Sequence, residues 1–250
     1  MSRDRIYVND HEALGDFAFD EAVARVFPDM IKRSVPGYTT IIPMIGVISE
    51  HYGQDNSNLY DLGCSLGASL LAMRHGAKAK GCKVIGIDNA EAMLEQCQTY
   101  VDKDTVDKDS VDQGSDPVPV ELHHGDVTQF NYENASVITL NFTLQFIEPE
   151  KRQALIQTLY DALLPGGALI LSEKICFTGI EQSLQEQLHW DFKRANGYSE
   201  LEISQKRSAL ENVLQPETAQ AHIERMLLAG FSQASQWYQC FNFTSFIAVK

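Results

Sequence analysis

The stretch Leu59-Tyr60-Asp61-Leu62-Gly63-Cys64-Ser65-Leu66-Gly67 decides the fold class of this chain. A β-prone run ends in an acid, two glycines follow four positions apart, and Ala68 to His75 reads as a helix. A strand, a tight turn and a helix N-terminus in that order let a ligand approach bare backbone, because glycine carries no Cβ. Further on, Lys83-Val84-Ile85-Gly86-Ile87-Asp88 gives a second buried-strand pattern, again ending in an acid. A carboxylate at that strand end is placed to accept hydrogen bonds from a ribose diol. Together the two elements read as half of a nucleotide-binding α/β sheet.

The pattern continues outward. Strands are expected near 58–62, 83–88, 118–123, 136–141 and 167–173, and helices near 66–76, 90–101 and 149–163. This alternation predicts an α/β fold with a doubly wound, mostly parallel sheet. Gln236 to Phe241 and Ser245 to Val249 read as a terminal β-hairpin, which brings the sheet to seven strands. Leu164-Pro165-Gly166-Gly167 reads as a helix stop and strand entry. Upstream, an N-terminal helical cap over 1–55 is expected. It holds a helix near 16–33 that Pro28 should kink, and a second from Thr39 to about Tyr52. Ser34-Val35-Pro36-Gly37 between them has the order of a type II turn.

Two segments interrupt the regular order. Val101-Asp102-Lys103-Asp104-Thr105 is nearly repeated as Val106-Asp107-Lys108-Asp109-Ser110. No glutamate closes an EF-hand loop there, so 101–117 is expected to be a mobile, solvated acidic insertion. A helical insertion over 178–215 carries the apolar stripe Leu184, Leu188, Phe192 and Ala195. Gly197 breaks it, Ser199 with Glu202 is a capping box for the next helix, and a further helix near 217–229 ends at Gly230.

Composition narrows the function classes. Net charge is -14, which argues against direct contact with nucleic acid or an anionic membrane surface. No apolar run approaches the ~20 residues of a membrane span, and Met1-Ser2-Arg3-Asp4-Arg5 lacks a signal-peptide core. The five cysteines Cys64, Cys82, Cys97, Cys176 and Cys240 form no CxxC pair, so a cytoplasmic location without disulfides or zinc is expected. His123 and His124 are adjacent on a strand and face opposite ways, so no metal site is expected there.

Neither G-x-G-x-x-G nor a P-loop is present. Asp61, Asp88 and Gly125-Asp126-Val127 follow three successive strands. Each acid has a plainer reading: Asp61 as a cap of its turn, Asp88 as a cap of the helix at Ala90. Cys64 reads as a packed small residue, since no base is adjacent. The basic doublets Lys32-Arg33, Lys151-Arg152, Lys193-Arg194 and Lys206-Arg207 read by default as solvated helix faces. The last two lie in the insertion over the expected ligand mouth and are candidates for an anionic substrate.

The three acids and the terminal hairpin resemble the class I S-adenosylmethionine-dependent methyltransferases. That resemblance implies one domain over 1–250, with the Gly turn facing the methionine part, the second acid the ribose and the third the adenine.

A closer resemblance is carried by Val26 to Ile31, Arg33 to Tyr38, Tyr60 to Ser65, Leu140 to Phe146, Asp191 to Glu202 and Gln239 to Phe243. These runs are similar to the carboxy-S-adenosyl-L-methionine synthase family, and the acidic repeat is the departure from it. The resemblance implies conversion of S-adenosyl-L-methionine and prephenate to carboxy-S-adenosyl-L-methionine and phenylpyruvate. The product is implied to be the carboxymethyl donor for tRNA wobble-uridine modification by another enzyme. It also implies a homodimer through the 178–215 insertion, and cofactor contacts from Tyr38, Gly63, Cys64, Ser65, Asp88, Asn89, Asp126, Val127 and Asn141. Arg207 is implied as the catalytic partner of the added carboxylate, from its own or the neighbouring subunit. The alternatives are a methyltransferase acting on a small acidic metabolite and a non-catalytic binding regulator.

Overall fold

The computed structural model describes residues 3–7, 18–108, 117–210 and 213–250. In chain order the elements are α1 (Glu21–Ser34), α2 (Tyr38–Tyr52), β1 (Asn58–Leu62), α3 (Ala68–Gly76), β2 (Lys83–Asp88), α4 (Glu91–Lys108), β3 (Val120–His124) and β4 (Ala135–Asn141). Then come α5 (Pro149–Ala162), β5 (Leu163–Lys174), α6 (Gly179–Ala195), α7 (Glu200–Leu210), α8 (Ala219–Ala229), β6 (Gln233–Cys240) and β7 (Phe243–Val249).

The seven strands form one sheet in the order β3-β2-β1-β4-β5-β7-β6. β1 pairs in parallel with both β2 and β4, so the chain reverses its winding direction there. In such a sheet a crevice opens beyond the carboxyl ends of the strands at that switch point. β7 pairs antiparallel to β5 with Ile170 opposite Ile247, and β6 closes the hairpin.

Strand alternation sorts the core into two layers. Tyr60, Leu62, Ile85, Ile87, Ile138 and Leu140 face one side, packed with Leu155, Leu159 and Met226 of α5 and α8. Leu59, Val84, Val137 and Ile170 face the other, packed with Ile41, Ile45, Leu70 and Met73 of α2 and α3. α1 lies on Leu66 and Met93 through Val23, Val26 and Met30.

Several boundaries differ from the sequence reading. α1 starts at Glu21 rather than 16, and Pro28 lies inside it without ending it. β5 begins at Leu163, because its first residue already pairs with Ala135. α4 continues to Lys108, where a loop was expected from 101. The cause is tertiary: the buried Arg74 guanidinium bonds Asp104 at 2.9 Å and the Val118 carbonyl at 2.9 Å, and His75 reaches Asp104 at 2.6 Å. These contacts hold the last turns of α4 against α3 and the entry to β3. Residues 109–116 of the expected insertion lie outside the described residues.

Of the Lys151-Arg152 doublet, Lys151 is exposed as expected but its neighbour is not. Arg152 is completely buried. Its guanidinium donates to the carbonyls of Ile147 at 2.8 Å, Gln145 at 3.3 Å and Gln215 at 2.9 Å, and pairs with Glu217. Glu217 also takes Arg225 at 2.6 Å. From the sheet side, the Glu173 carboxylate accepts the amides of Leu144 and Gln145, each at 3.0 Å. The loop after β4 and the segment before α8 are thus tied to one guanidinium and one carboxylate. Arg152→Met leaves three carbonyls and a carboxylate short of a donor. It should cost roughly 3–5 kcal/mol of stability, read from the urea midpoint; a loss within ~0.5 kcal/mol would show that the network does not hold the fold.

Candidate functional site

Gly37 ends the turn between α1 and α2 at φ 81° and ψ 0°, the third position of a type II turn as the Pro-Gly order predicts. A Cβ there would lie 1.9 Å from the Tyr238 hydroxyl oxygen, so any side chain would also have to displace the end of the Tyr238 ring. The turn directs Tyr38 at the strand ends. Gly63, at φ 69°, turns the chain out of β1 where a Cβ would meet Thr143 Oγ1 at 2.5 Å. Ser65 and Phe142, both lining the crevice, hold left-handed conformations at φ 50° and 65°, uncommon for residues with side chains.

These turns surround a cavity of about 760 Å³. Tyr38, Gly63, Cys64, Ser65, Asp88, Asn89, Asp126, Val127, Asn141 and Arg207, named from sequence, all line it. They come from the ends of β1, β2, β3 and β4, from α2 and from α7. Arg207 lies at the cavity of its own chain, its guanidinium carbon 5.7 Å from the centre of the Trp190 ring.

On the strand side the cavity is acidic. Asp88 accepts the Ser65 amide at 2.8 Å and the Ala90 amide at 2.9 Å. It therefore holds the approach to the next helix, at the residue before Glu91, and the glycine turn at once, without capping a helical amide, and its two oxygens keep lone pairs for further donors. Burial raises its pKa while these amides oppose the rise. Asp126 accepts the Thr128 amide and hydroxyl, both at 2.8 Å. Asn141 donates to Ser69 at 3.0 Å, but its buried Oδ1 has no donor.

Asp61 lies beneath the turn, and neither of its buried carboxylate oxygens has a hydrogen-bond partner. Burial and the charge of Asp88 push its pKa up to about 8 against the opposing pull of the nearby Leu70 amide. Cys64 is a packed thiol: its hydrogen bond with Cys97, and then burial, raise its pKa well above the ordinary value.

The opposite wall is basic. Lys174 at the end of β5, His189 and Lys193 of α6, and Lys206 and Arg207 of α7 line the cavity. Lys193 is 7% and Lys206 5% exposed. The doublet at 193 divides: Lys193 turns inward, while Arg194 pairs outside with Asp191 at 2.6 Å and with Glu200. Ser34 joins this wall to α1, its carbonyl accepting His189 at 2.8 Å and its hydroxyl accepting Lys206 at 2.9 Å. Sequence reading missed Lys174 and His189. A lone lysine after a strand and a lone histidine in a helix carry no local signal, and only the β5–α6 connection brings them together. The capping box stands as expected, with the Ser199 amide donating to Glu202 at 2.7 Å and the Glu202 amide to Ser199 Oγ at 3.3 Å.

His123 and His124 do point apart, His123 against Phe130 at 5.3 Å between ring centres and His124 to the Asn89 carbonyl at 3.1 Å. Among the described residues no helix is long and apolar enough to cross a membrane.

Residues 59–167 match a family model described as a methyltransferase domain. The chain is 56% identical to a carboxy-S-adenosyl-L-methionine synthase of Marinobacter nauticus, over 99% of this chain and 95% of that one. It is 50% identical to the enzyme of the same name from Erwinia tasmaniensis, over 100% and 98%. The chain belongs to the carboxy-S-adenosyl-L-methionine synthase family.

Solved structures extend the likeness to the wider fold. A putative O-methyltransferase from Nostoc punctiforme superposes at TM-score 0.61 with 14% identity, covering 92% of this chain and 60% of that chain. Magnesium protoporphyrin IX methyltransferase from Synechocystis, with bound SAH, does so at 0.58 with 14% identity, covering 88% and 87%. The fold is the class I methyltransferase fold, with the parallel sheet and antiparallel terminal hairpin expected from the sequence.

The raised Asp61 pKa has a measurable consequence. A raised carboxyl favours the folded state fully below its unfolded value, near 4, and that advantage is lost as pH climbs to about 8. Asp61→Asn cannot ionise, so the unliganded variant should gain stability over wild type progressively from pH 4 to 8, by more than about 1 kcal/mol, and level off above. Denaturant unfolding across that range checks it; parallel profiles would mean that Asp61 ionises normally in the folded protein.

Proposed function

We propose that this chain converts S-adenosyl-L-methionine and prephenate into carboxy-S-adenosyl-L-methionine and phenylpyruvate, with release of water. The product would supply the carboxymethyl donor for modification of a tRNA wobble uridine by another enzyme. The observation that carries the reading is one cavity in a member of this family that joins a nucleoside-type acidic wall to Arg207 on its basic wall.

The residues present fit a sulfonium nucleoside. Asp88, already oriented by two amides, has acceptor capacity for the ribose hydroxyls. Asp126 and Val127 lie where adenine would be held, and Asn89 beside Asp88 completes that side. Gly63, Cys64 and Ser65 offer backbone to the methionine part, above the unpaired Asp61, whose ionisation a cationic ligand would favour. Tyr38 and the unpartnered Asn141 Oδ1 close this end. The bound sulfonium supplies an acidified methyl carbon that takes up the carboxyl group lost by prephenate. The chain's own contribution is to position the two substrates, exclude water and place a guanidinium fork at the new carboxylate.

The reading carries a cytoplasmic homodimer built on the 178–215 insertion. Ile180 and Leu184, one turn apart on α6, are 90% and 56% exposed and support an apolar contact there. A methyltransferase acting on a small acidic metabolite would use the same acids. An acidic metabolite could also meet Arg207, so the two readings separate on whether Arg207 favours carboxy-S-adenosyl-L-methionine over S-adenosyl-L-methionine.

Purified protein given both substrates should form phenylpyruvate and a carboxylated nucleoside, read by mass spectrometry. S-Adenosylhomocysteine as the sole nucleoside product would favour the methyltransferase. In calorimetry, Arg207→Ala should weaken carboxy-S-adenosyl-L-methionine binding by roughly 2–5 kcal/mol and S-adenosyl-L-methionine binding far less, with Arg207→Lys intermediate. Equal losses for both ligands would remove Arg207 from the carboxylate site.

A further inference from the structure

The basic wall holds more positive charge than a single new carboxylate requires. Lys174, Lys193 and Lys206 reach the cavity from three different elements, β5, α6 and α7. In a chain of net charge -14 their convergence on one wall runs against the overall composition. Among the described residues Lys174 and Lys193 take part in no ion pair. Lys206 meets the Ser34 hydroxyl at 2.9 Å, the Asp4 carboxylate at 3.8 Å and the face of the Tyr198 ring at 5.5 Å from its centre. Asp4 is itself engaged by the Tyr198 hydroxyl at 2.6 Å.

We propose that Lys174, Lys193 and Lys206 form the receptor for a dicarboxylate second substrate, leaving Arg207 for the carboxylate that is transferred. The inference rests on the prephenate reading above and names the side chains that would hold that substrate. Prephenate carries one carboxylate on its ring, the group that is transferred, and a second at the end of its pyruvyl side chain; cations on separate elements can hold the second while Arg207 faces the first. A single arginine fork cannot meet both.

The electrostatics agree with this geometry. Burial, together with the charges of Lys206 and Lys174, lowers the Lys193 pKa to about 7. Burial lowers Lys206 to about 8, where Asp4, Asp29 and Glu202 push upward and Arg33 downward. Lys174 is lowered by burial and raised by Glu186, which lines the same cavity. His189 is held well below its ordinary value by burial and by all three lysines, and it donates Nε2–H to the Ser34 carbonyl. Such a wall opposes itself when empty and is relieved by an anion. The strand-side wall, with Asp88 and Asp126, disfavours the same anion and directs it away from the nucleoside end.

Lys193→Met, Lys193→Arg and Lys174→Met test the assignment in steady-state kinetics with both substrates varied, and in titrations of prephenate into protein saturated with S-adenosylhomocysteine. Each Met variant should raise the KM and the dissociation constant for prephenate at least tenfold. The KM for S-adenosyl-L-methionine should move less than threefold, and Lys193→Arg should restore part of the loss. Melting temperatures of the unliganded Met variants should equal or exceed wild type, because a mutually repelling buried cation has been removed.

Normal turnover by wild type with unchanged prephenate constants in the Met variants would overturn the lysine receptor and leave the synthase reading intact. No carboxylated product from wild type, with prephenate binding that the Met variants still weaken, would overturn the synthase reading and support the receptor. Wild type that neither binds nor turns over prephenate would overturn both.

Discussion

Asp61 and Lys193 are both buried, one under the floor of the cavity and one on its opposing wall, and neither takes part in an ion pair among the described residues. Removing a charge from water costs several kcal/mol unless something nearby compensates. Here the two signs are kept apart across a space large enough for a nucleoside and a second small molecule. A zwitterionic sulfonium ligand with an anionic partner is the kind of guest that relieves both walls together. The acidic composition of the chain, the inward turn of Lys193 and the outward turn of Arg194 all serve that separation.

The fold sets the two walls in place by different means. The acidic wall is local: each acid stands at or just after a strand end, and the reversal of winding at β1 opens the crevice there. The basic wall is assembled over long range, from the end of β5 and from two helices inserted before the terminal hairpin. It is held to α1 by Ser34 and Tyr198, and the loop beneath it by Arg152 and Glu173. The left-handed backbone at Ser65 and Phe142 lies where the two walls meet, a placement that favours close ligand approach over local comfort.

What was legible in the sequence follows the same division. Gly63, Asp88 and Asp126 announce themselves by position after strand patterns, and the Pro36-Gly37 turn by its residue order. Each is a local signal that the structure carries through. Arg152 was unreadable because its burial depends on two carbonyls of the loop before its helix and on Gln215 and Glu217 far along the chain, none of which a helix-face pattern contains. α4 outran its predicted end because Asp104 finds Arg74 and His75, contacts no window over 101–117 can show. Lys174 and His189 belong to no motif and gain meaning only beside Lys193. Of the basic doublets, periodicity alone did not say which member of 193–194 turns inward.

The most direct measurement is the mass of the nucleoside that the protein retains. Protein purified from a host that makes prephenate, then denatured, should release a nucleoside heavier than S-adenosyl-L-methionine by one carbon dioxide, because only that ligand satisfies both walls. Release of S-adenosylhomocysteine or unmodified S-adenosyl-L-methionine alone, with no carboxylated species even after prephenate is supplied, would contradict the account.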